Sequence, residues 1–224
     1  MIFTTESAVQ QATNLLHLYN GLKVFSIDEV QITLIGNILV NRTAKGYRLL
    51  KEYKIKIVIP LGSDELPRVL DEGNQIDKNY PHRYPDGELC LETDTNIRFR
   101  FIDGFSLDAW MSEYVETYFF SYEFYQRYGE FPFGERAHGL VGILQTYGEI
   151  FHEIDYQKVF KIMESISTRK YRGHSMCPCG SSLKIRYCHG PLIMKYYVND
   201  RLNSIVQKDF YRITEGILKA YEKQ

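Results

Sequence analysis

The chain has 224 residues, 44% of them hydrophobic and 25% charged, with a formal net charge of −1. That balance excludes collagen-like, disordered and strongly basic nucleic-acid-binding classes. No run of about 18 apolar residues is present to span a membrane, so no membrane partner is expected. Met1 to Thr13 lacks the basic start and apolar run of a secretory signal, and the expected location is the cytoplasm. Residues 161–224 carry 12 basic and 5 acidic side chains, which leaves the tail at +7 and the rest at −8. Either the tail packs against its own acidic body or it meets an acidic partner. No basic stripe with interleaved aromatics occurs, so nucleic acid is not an expected partner.

Residues Glu6 to Tyr19 predict an amphipathic helix with Val9, Ala12, Leu16 and Tyr19 on one side. Val30, Ile32 and Leu34 alternate, as do Tyr53, Ile55, Ile57 and Ile59, and these are strand signals. Asn37 to Leu50 is expected to hold another strand and its turns. Gly62 to Asp94 is rich in turn formers and reads as a long functional loop. Ser106 is a predicted N-cap for a helix bearing Trp110, Tyr114, Tyr118, Tyr122 and Tyr125, a stripe that suits a core. Phe131-Pro132-Phe133-Gly134 ends that run. Leu140 to Phe151 marks another helix, Asp155 caps a further one through Ile166, and Leu202 to Ile217 closes the chain. A boundary is expected near Ser167–Gly173.

Four cysteines divide into two jobs. Cys177, Cys179 and Cys188 lie within twelve residues, followed directly by His189, and Cys90 stands far upstream. Three thiolates and one imidazole make a common tetrahedral zinc set. The turn Gly180-Ser181-Ser182 lets the chain double back, and Lys184 and Arg186 offset the thiolate charge. The pattern Cys-x-Cys, Gly-Ser, basic stretch, Cys-His resembles the SEC-C motif, named after the C-terminal tail of the bacterial preprotein translocase ATPase. The resemblance implies a structural Zn2+ held by Cys177, Cys179, Cys188 and His189, in a segment that docks to a partner. His174 is an outside candidate for the fourth ligand.

The segment Tyr80-Pro81-His82-Arg83-Tyr84-Pro85-Asp86-Gly87-Glu88-Leu89-Cys90-Leu91-Glu92 puts a cysteine after a turn, with Leu89 and Leu91 expected to point inward. A thiol so placed is a nucleophile if it is exposed and activated. The segment resembles the active-site loop of ubiquitin-conjugating enzymes. Gly87, Leu89, Cys90, Leu91 and Glu92 fall in that family's register, and Tyr80-Pro81-His82 stands where its His-Pro-Asn stands. The resemblance covers roughly residues 5–165. It implies an α+β fold: an antiparallel meander sheet flanked by helices over residues 1–167, with a small zinc-binding helical appendage over 168–224.

It also implies a chemistry. Cys90 would take the C-terminal acyl group of a protein as a thioester and pass it to a target amine. His82 replaces the family's Asn and is read as oxyanion donor, as base toward the amine, or as a brace of the loop. Asn79, Glu92, Asp94 and His138 are weaker candidates. The fusion of this domain to SEC-C resembles bacterial ubiquitin-conjugation-like proteins of anti-phage defence. The implied partner is a modifier protein or a cyclic-oligonucleotide synthase, engaged through its C-terminus. No phosphate-binding glycine loop is present, so adenylation by this chain is not expected, and a separate activating enzyme is left open as a further partner. The alternative is a non-catalytic adaptor of the same fold, with the zinc tail as docking element.

Overall fold

The computed structural model describes residues 3–222. The protein is α+β, and its chain divides into two compact units, Met1–Glu92 with Asp103–Glu135, and Thr93–Ile102 with Arg136–Gln224. The stretch 167–173, expected as a boundary, therefore lies inside the second unit. That unit is much larger than the expected appendage.

The first unit begins with α1 (Thr5–Leu18), whose cap Thr4 accepts a hydrogen bond from the Ser7 N–H at 3.1 Å. Its buried face is Ala8, Ala12 and Leu15, whereas Val9 is exposed. Both sets have helical spacing, so periodicity alone does not choose between them.

Four antiparallel strands follow in the order β1 (Leu22–Ile27), β2 (Gln31–Ala44), β3 (Tyr47–Pro60) and β4 (Arg68–Asp71). Asn37 to Leu50 holds no separate strand. It is the far end of one long hairpin, with Ala44 paired to Tyr47 across Lys45-Gly46. Both turn residues have positive φ, 50° and 73°, which is what a two-residue hairpin loop demands. Ile32, Leu34, Ile38 and Val40 of β2 and Tyr53, Ile55, Ile57 and Ile59 of β3 are buried.

Helix α3 (Leu107–Trp110) is capped by the Ser106 hydroxyl, as expected. It runs through a π-helical turn at Met111–Val115 into α4 (Glu116–Tyr128). Helix α4 packs on β2 and β3, and the Tyr53 and Phe119 rings stack at 4.0 Å. Trp110, Tyr118 and Tyr122 are buried, so much of the aromatic stripe is core. The π turn shifts the helical register, and Phe119 and Phe120 join the buried set.

The second unit is helical, with α2 (Asp94–Arg100), α5 (Gly139–Phe151), α6 (Tyr156–Ser167), α7 (Gly190–Val198) and α8 (Asp200–Tyr221). Asp155 caps α6, accepting from the Gln157 and Lys158 N–H groups. One apolar cluster runs through Tyr147, Phe151, Ile162, Ile193 and Val206 and includes Cys177 and Cys179. Within it, the buried Asp209 carboxylate accepts hydrogen bonds from Thr95 at 2.7 Å and Tyr147 at 2.9 Å, tying α8 to α2 and α5. Among the described residues, no helix is long and apolar enough to cross a membrane.

Candidate functional site

The Cys90 loop is a hairpin built onto the sheet. Arg83 and Leu89 pair antiparallel, and Leu70 of β4 pairs with Glu88. The Tyr84 N–H donates to Glu88 C=O at 2.8 Å, and the Cys90 N–H donates to His82 C=O at 2.8 Å. The turn closes with the Gly87 N–H on Tyr84 C=O at 3.0 Å. Gly87 has φ +90°, and a Cβ there would lie 3.4 Å from the Arg83 guanidinium.

This register decides the faces. Side chains alternate along a strand, and directly opposed residues share a face. Arg83 and Leu89 face inward: Leu89 is buried, and the Arg83 guanidinium lies 3.9 Å from the buried Asp71 carboxylate. Asp71 also accepts from the Gln75 and Ile76 N–H groups, so it anchors the start of the long loop.

His82, Tyr84, Glu88 and Cys90 share the other face. A ring nitrogen of His82 lies within 4.8 Å of Cys90 Sγ, and the Tyr84 hydroxyl donates to Sγ at 3.6 Å. Cys90 and His82 are half-buried, open enough for a substrate to reach.

His82 is held from behind. Its ring sits edge-on to Phe131 at 5.1 Å and beside Tyr80 at 5.5 Å. Its carbonyl accepts from the Tyr118 hydroxyl at 3.1 Å. Burial, above all, pushes the Tyr118 phenol well above its ordinary range, so it stays a neutral donor. Tyr80 is buried against Tyr118, Tyr122 and Tyr125, which makes it a packing residue. Chemically, the arrangement sets a thiol beside an imidazole, with a hydroxyl donor on the sulfur.

The weaker candidates divide between the two units. Asn79 is exposed, with its N–H on the Asp77 carboxylate. Glu92 ends the first segment of unit one, whereas Asp94 opens α2 and His138 precedes α5, both in unit two. Tyr84 went unnoticed in the sequence. The signal was there: extending the Pro85-Asp86-Gly87 turn into a hairpin places residue 84 diagonal to residue 90.

Cys177, Cys179, Cys188 and His189 converge in the second unit, with their ligand atoms all within 4.8 Å of one another. The Cys177 N–H donates to Leu183 C=O, and Met176 pairs with Lys184, so the first two thiols sit on a tight knuckle. A 3₁₀ turn, Ile185–Tyr187, then delivers Cys188 and His189. Gly190 is required there, because a Cβ would lie 2.6 Å from Ile185 C=O.

Cys177 Sγ and Cys188 Sγ lie 3.4 and 3.2 Å from His189 Nδ1, and Cys179 Sγ lies 3.5 Å from Cys188 Sγ. A tetrahedron with ligands about 2.1–2.3 Å from its centre has edges of about 3.5 Å. The spacing therefore fits one ion, and no disulfide competes. His189 Nε2 donates to Phe151 C=O at 3.0 Å, an orphan carbonyl at the end of α5. That bond leaves Nδ1 with its lone pair toward the thiols, the orientation a metal ligand needs. His174 is exposed and outside the group.

Burial pushes the Cys177 thiol up to about 11. Burial also opposes the Cys179 thiolate, but hydrogen bonds from Ser181 and the neighbouring thiols hold it at about 6. These four side chains can hold a metal ion.

Comparison of the chain with family models, with curated proteins and with solved structures returned no match.

Proposed function

We propose that the protein is an acyltransferase of the ubiquitin-conjugating type, working through a thioester on Cys90. The observation that carries this reading is the cross-strand pair: an accessible Cys90 with His82 directly opposite on the hairpin. An N-terminal helix, a four-stranded antiparallel meander and the cysteine loop follow in the order that the resemblance implies.

In this mechanism Cys90 Sγ attacks the carbonyl carbon of an activated protein C-terminus, expels its leaving group and keeps the acyl group as a thioester. A target amine then attacks the same carbon. His82 takes the proton from the incoming nitrogen, and the sulfur leaves as thiolate. The product is an amide, and Cys90 is ready again. The acyl donor is a modifier protein or a cyclic-oligonucleotide synthase, supplied by a separate activating enzyme. The setting is bacterial anti-phage defence, which rests on the sequence resemblance alone.

The metal of the second unit is zinc in this reading. Three thiols and one oriented imidazole, with no further ligand side chain in the cluster, make a closed structural set. Zinc there ties the knuckle to the α7 start and, through His189, to the end of α5.

The test is intact-mass analysis of the protein recovered from its native host, with and without reductant, beside Cys90→Ser. A reductant-sensitive adduct on the wild type, and a resistant one on the serine variant, is the expected result, and its mass names the donor. A stable co-purifying partner with no adduct on either chain sinks the enzyme and favours the adaptor. Elemental analysis checks the metal: one zinc per chain is expected.

A further inference from the structure

The hairpin face bearing Cys90 carries a third group that the sequence reading did not assign. Tyr84 sits diagonally across from Cys90, and its hydroxyl donates to Sγ at 3.6 Å. Its backbone is fixed on both sides. Its N–H is on Glu88 C=O, and its C=O accepts from Gly87 N–H and, at 3.4 Å, from Arg83. The same turn that positions Cys90 therefore positions this hydroxyl. Of the other groups on the face, Glu88 is an acceptor engaged by Arg68 at 3.5 Å. The His82 ring is wedged against Phe131 and Tyr80.

We propose that Tyr84 is a catalytic residue, the hydrogen-bond donor to the oxyanion formed when the Cys90 thioester is made and when it is broken. In a thioester the carbonyl oxygen is two bonds from the sulfur. A hydroxyl already directed at Sγ is within reach of that oxygen, where a preorganised donor acts most strongly.

The electrons balance as follows. The amine nitrogen bonds to the acyl carbon, and the carbonyl π pair moves onto oxygen. Tyr84 O–H donates to that anion without giving up its proton. The pair then returns, the carbon–sulfur bond breaks, and Cys90 leaves as thiolate while the nitrogen proton passes to His82. A phenol serves as donor throughout, and the imidazole remains available as base. The assignment rests on the thioester reading.

The experiment uses the full chain and a glycine-ended peptide presented as its mercaptoethanesulfonate thioester. Intact mass follows loading of Cys90, and free lysine then follows discharge. Iodoacetamide alkylation of Cys90 is timed in parallel, because displacement at sulfur forms no oxyanion. Tyr84→Phe keeps the ring of this exposed residue. The expected result is loading and discharge slowed about 10²-fold with alkylation unchanged. Unchanged acyl transfer overturns the proposal, and so does alkylation that falls in step with it, since either leaves Tyr84 no oxyanion role. A wild-type chain that alkylates at Cys90 but takes up no acyl group overturns the thioester reading itself.

Discussion

At Cys90 one sulfur stands half-buried beside the His82 imidazole and the Tyr84 phenol, on a hairpin whose other face is anchored by Arg83 and the buried Asp71. At Cys177, Cys179 and Cys188 three sulfurs converge on one imidazole whose far nitrogen is fixed by Phe151. The difference is in what surrounds the thiol. The nucleophile proposed for Cys90 needs access and a partner that moves a proton, and its hairpin offers an open face with a rigid back. A structural ligand set needs convergence and exclusion, so two of its thiols belong to the apolar core of their unit. The same residue type is therefore assigned by neighbours rather than by identity.

The largest expected effects break this comparison in two directions. Cys90→Ala should abolish the thioester and reduce acyl transfer by about 10⁴-fold or more, with zinc content and melting unchanged. Cys179→Ser, or a strong chelator, should do the reverse. It should release the metal and remove the cooperative melting of the second unit, since structural zinc binding is worth about 10 kcal/mol. Calorimetry beside zinc release and a loading assay reads both. Loss of zinc in Cys90→Ala would merge what is here kept apart.

A smaller effect separates the roles on the hairpin. His82→Ala should slow discharge of the Cys90 thioester to an amine by about 10²-fold, and His82→Gln should not restore it, because an amide is no base. Recovery in His82→Gln would make the residue a donor or brace. Asp71→Ala probes the back of the hairpin. It strands the Arg83 guanidinium and two loop N–H groups, and should cost the first unit about 3 kcal/mol in urea unfolding.

The smallest effect lies in the second unit. Burial raises the Asp209 carboxyl above its ordinary 3.8, against the pull of the Thr95 and Tyr147 hydrogen bonds. A carboxyl raised on folding binds its proton more tightly in the native state. Its contribution is therefore full below pH 3.8 and is lost as pH rises through the raised value. Asp209→Asn keeps an acceptor and carries no charge, so its stability relative to wild type should increase as pH rises through that window. Urea midpoints of both chains across the window check the sign. Asp209→Ala should instead cost about 1–3 kcal/mol below that window, because two buried hydroxyls lose their acceptor, and less as pH rises through it.

Local patterns were legible. The alternation of Ile32 and Leu34 and of Tyr53 to Ile59 marked β2 and β3, and the Ser106 and Asp155 caps marked helix starts. Strand β1 was missed because a register shift between Val24 and Ser26 breaks its alternation and leaves Phe25 exposed. The four-residue β4 and seven-residue α2 are too short for periodicity to declare them. Cys90 and His82 were singled out through the resemblance, and the hairpin sets them opposite each other; Tyr84 was not, because a diagonal pair exists only once the hairpin register is set. The inward pair of Arg83 with Asp71 joins residues twelve apart, across two strands.

By itself the sequence determined what lies within a turn or two: the α+β alternation, the Ser106 and Asp155 caps, and the cluster from Cys177 to His189, whose ligands sit close enough along the chain to converge by local folding. Only the tertiary structure decided the rest. It drew Thr93–Ile102 into the second unit, set Phe151 behind His189, and chose which face of the Cys90 hairpin meets solvent. The reason is physical. Backbone hydrogen bonds and turn chemistry are written in neighbouring residues, whereas burial is a property of surfaces that meet only after the chain has folded.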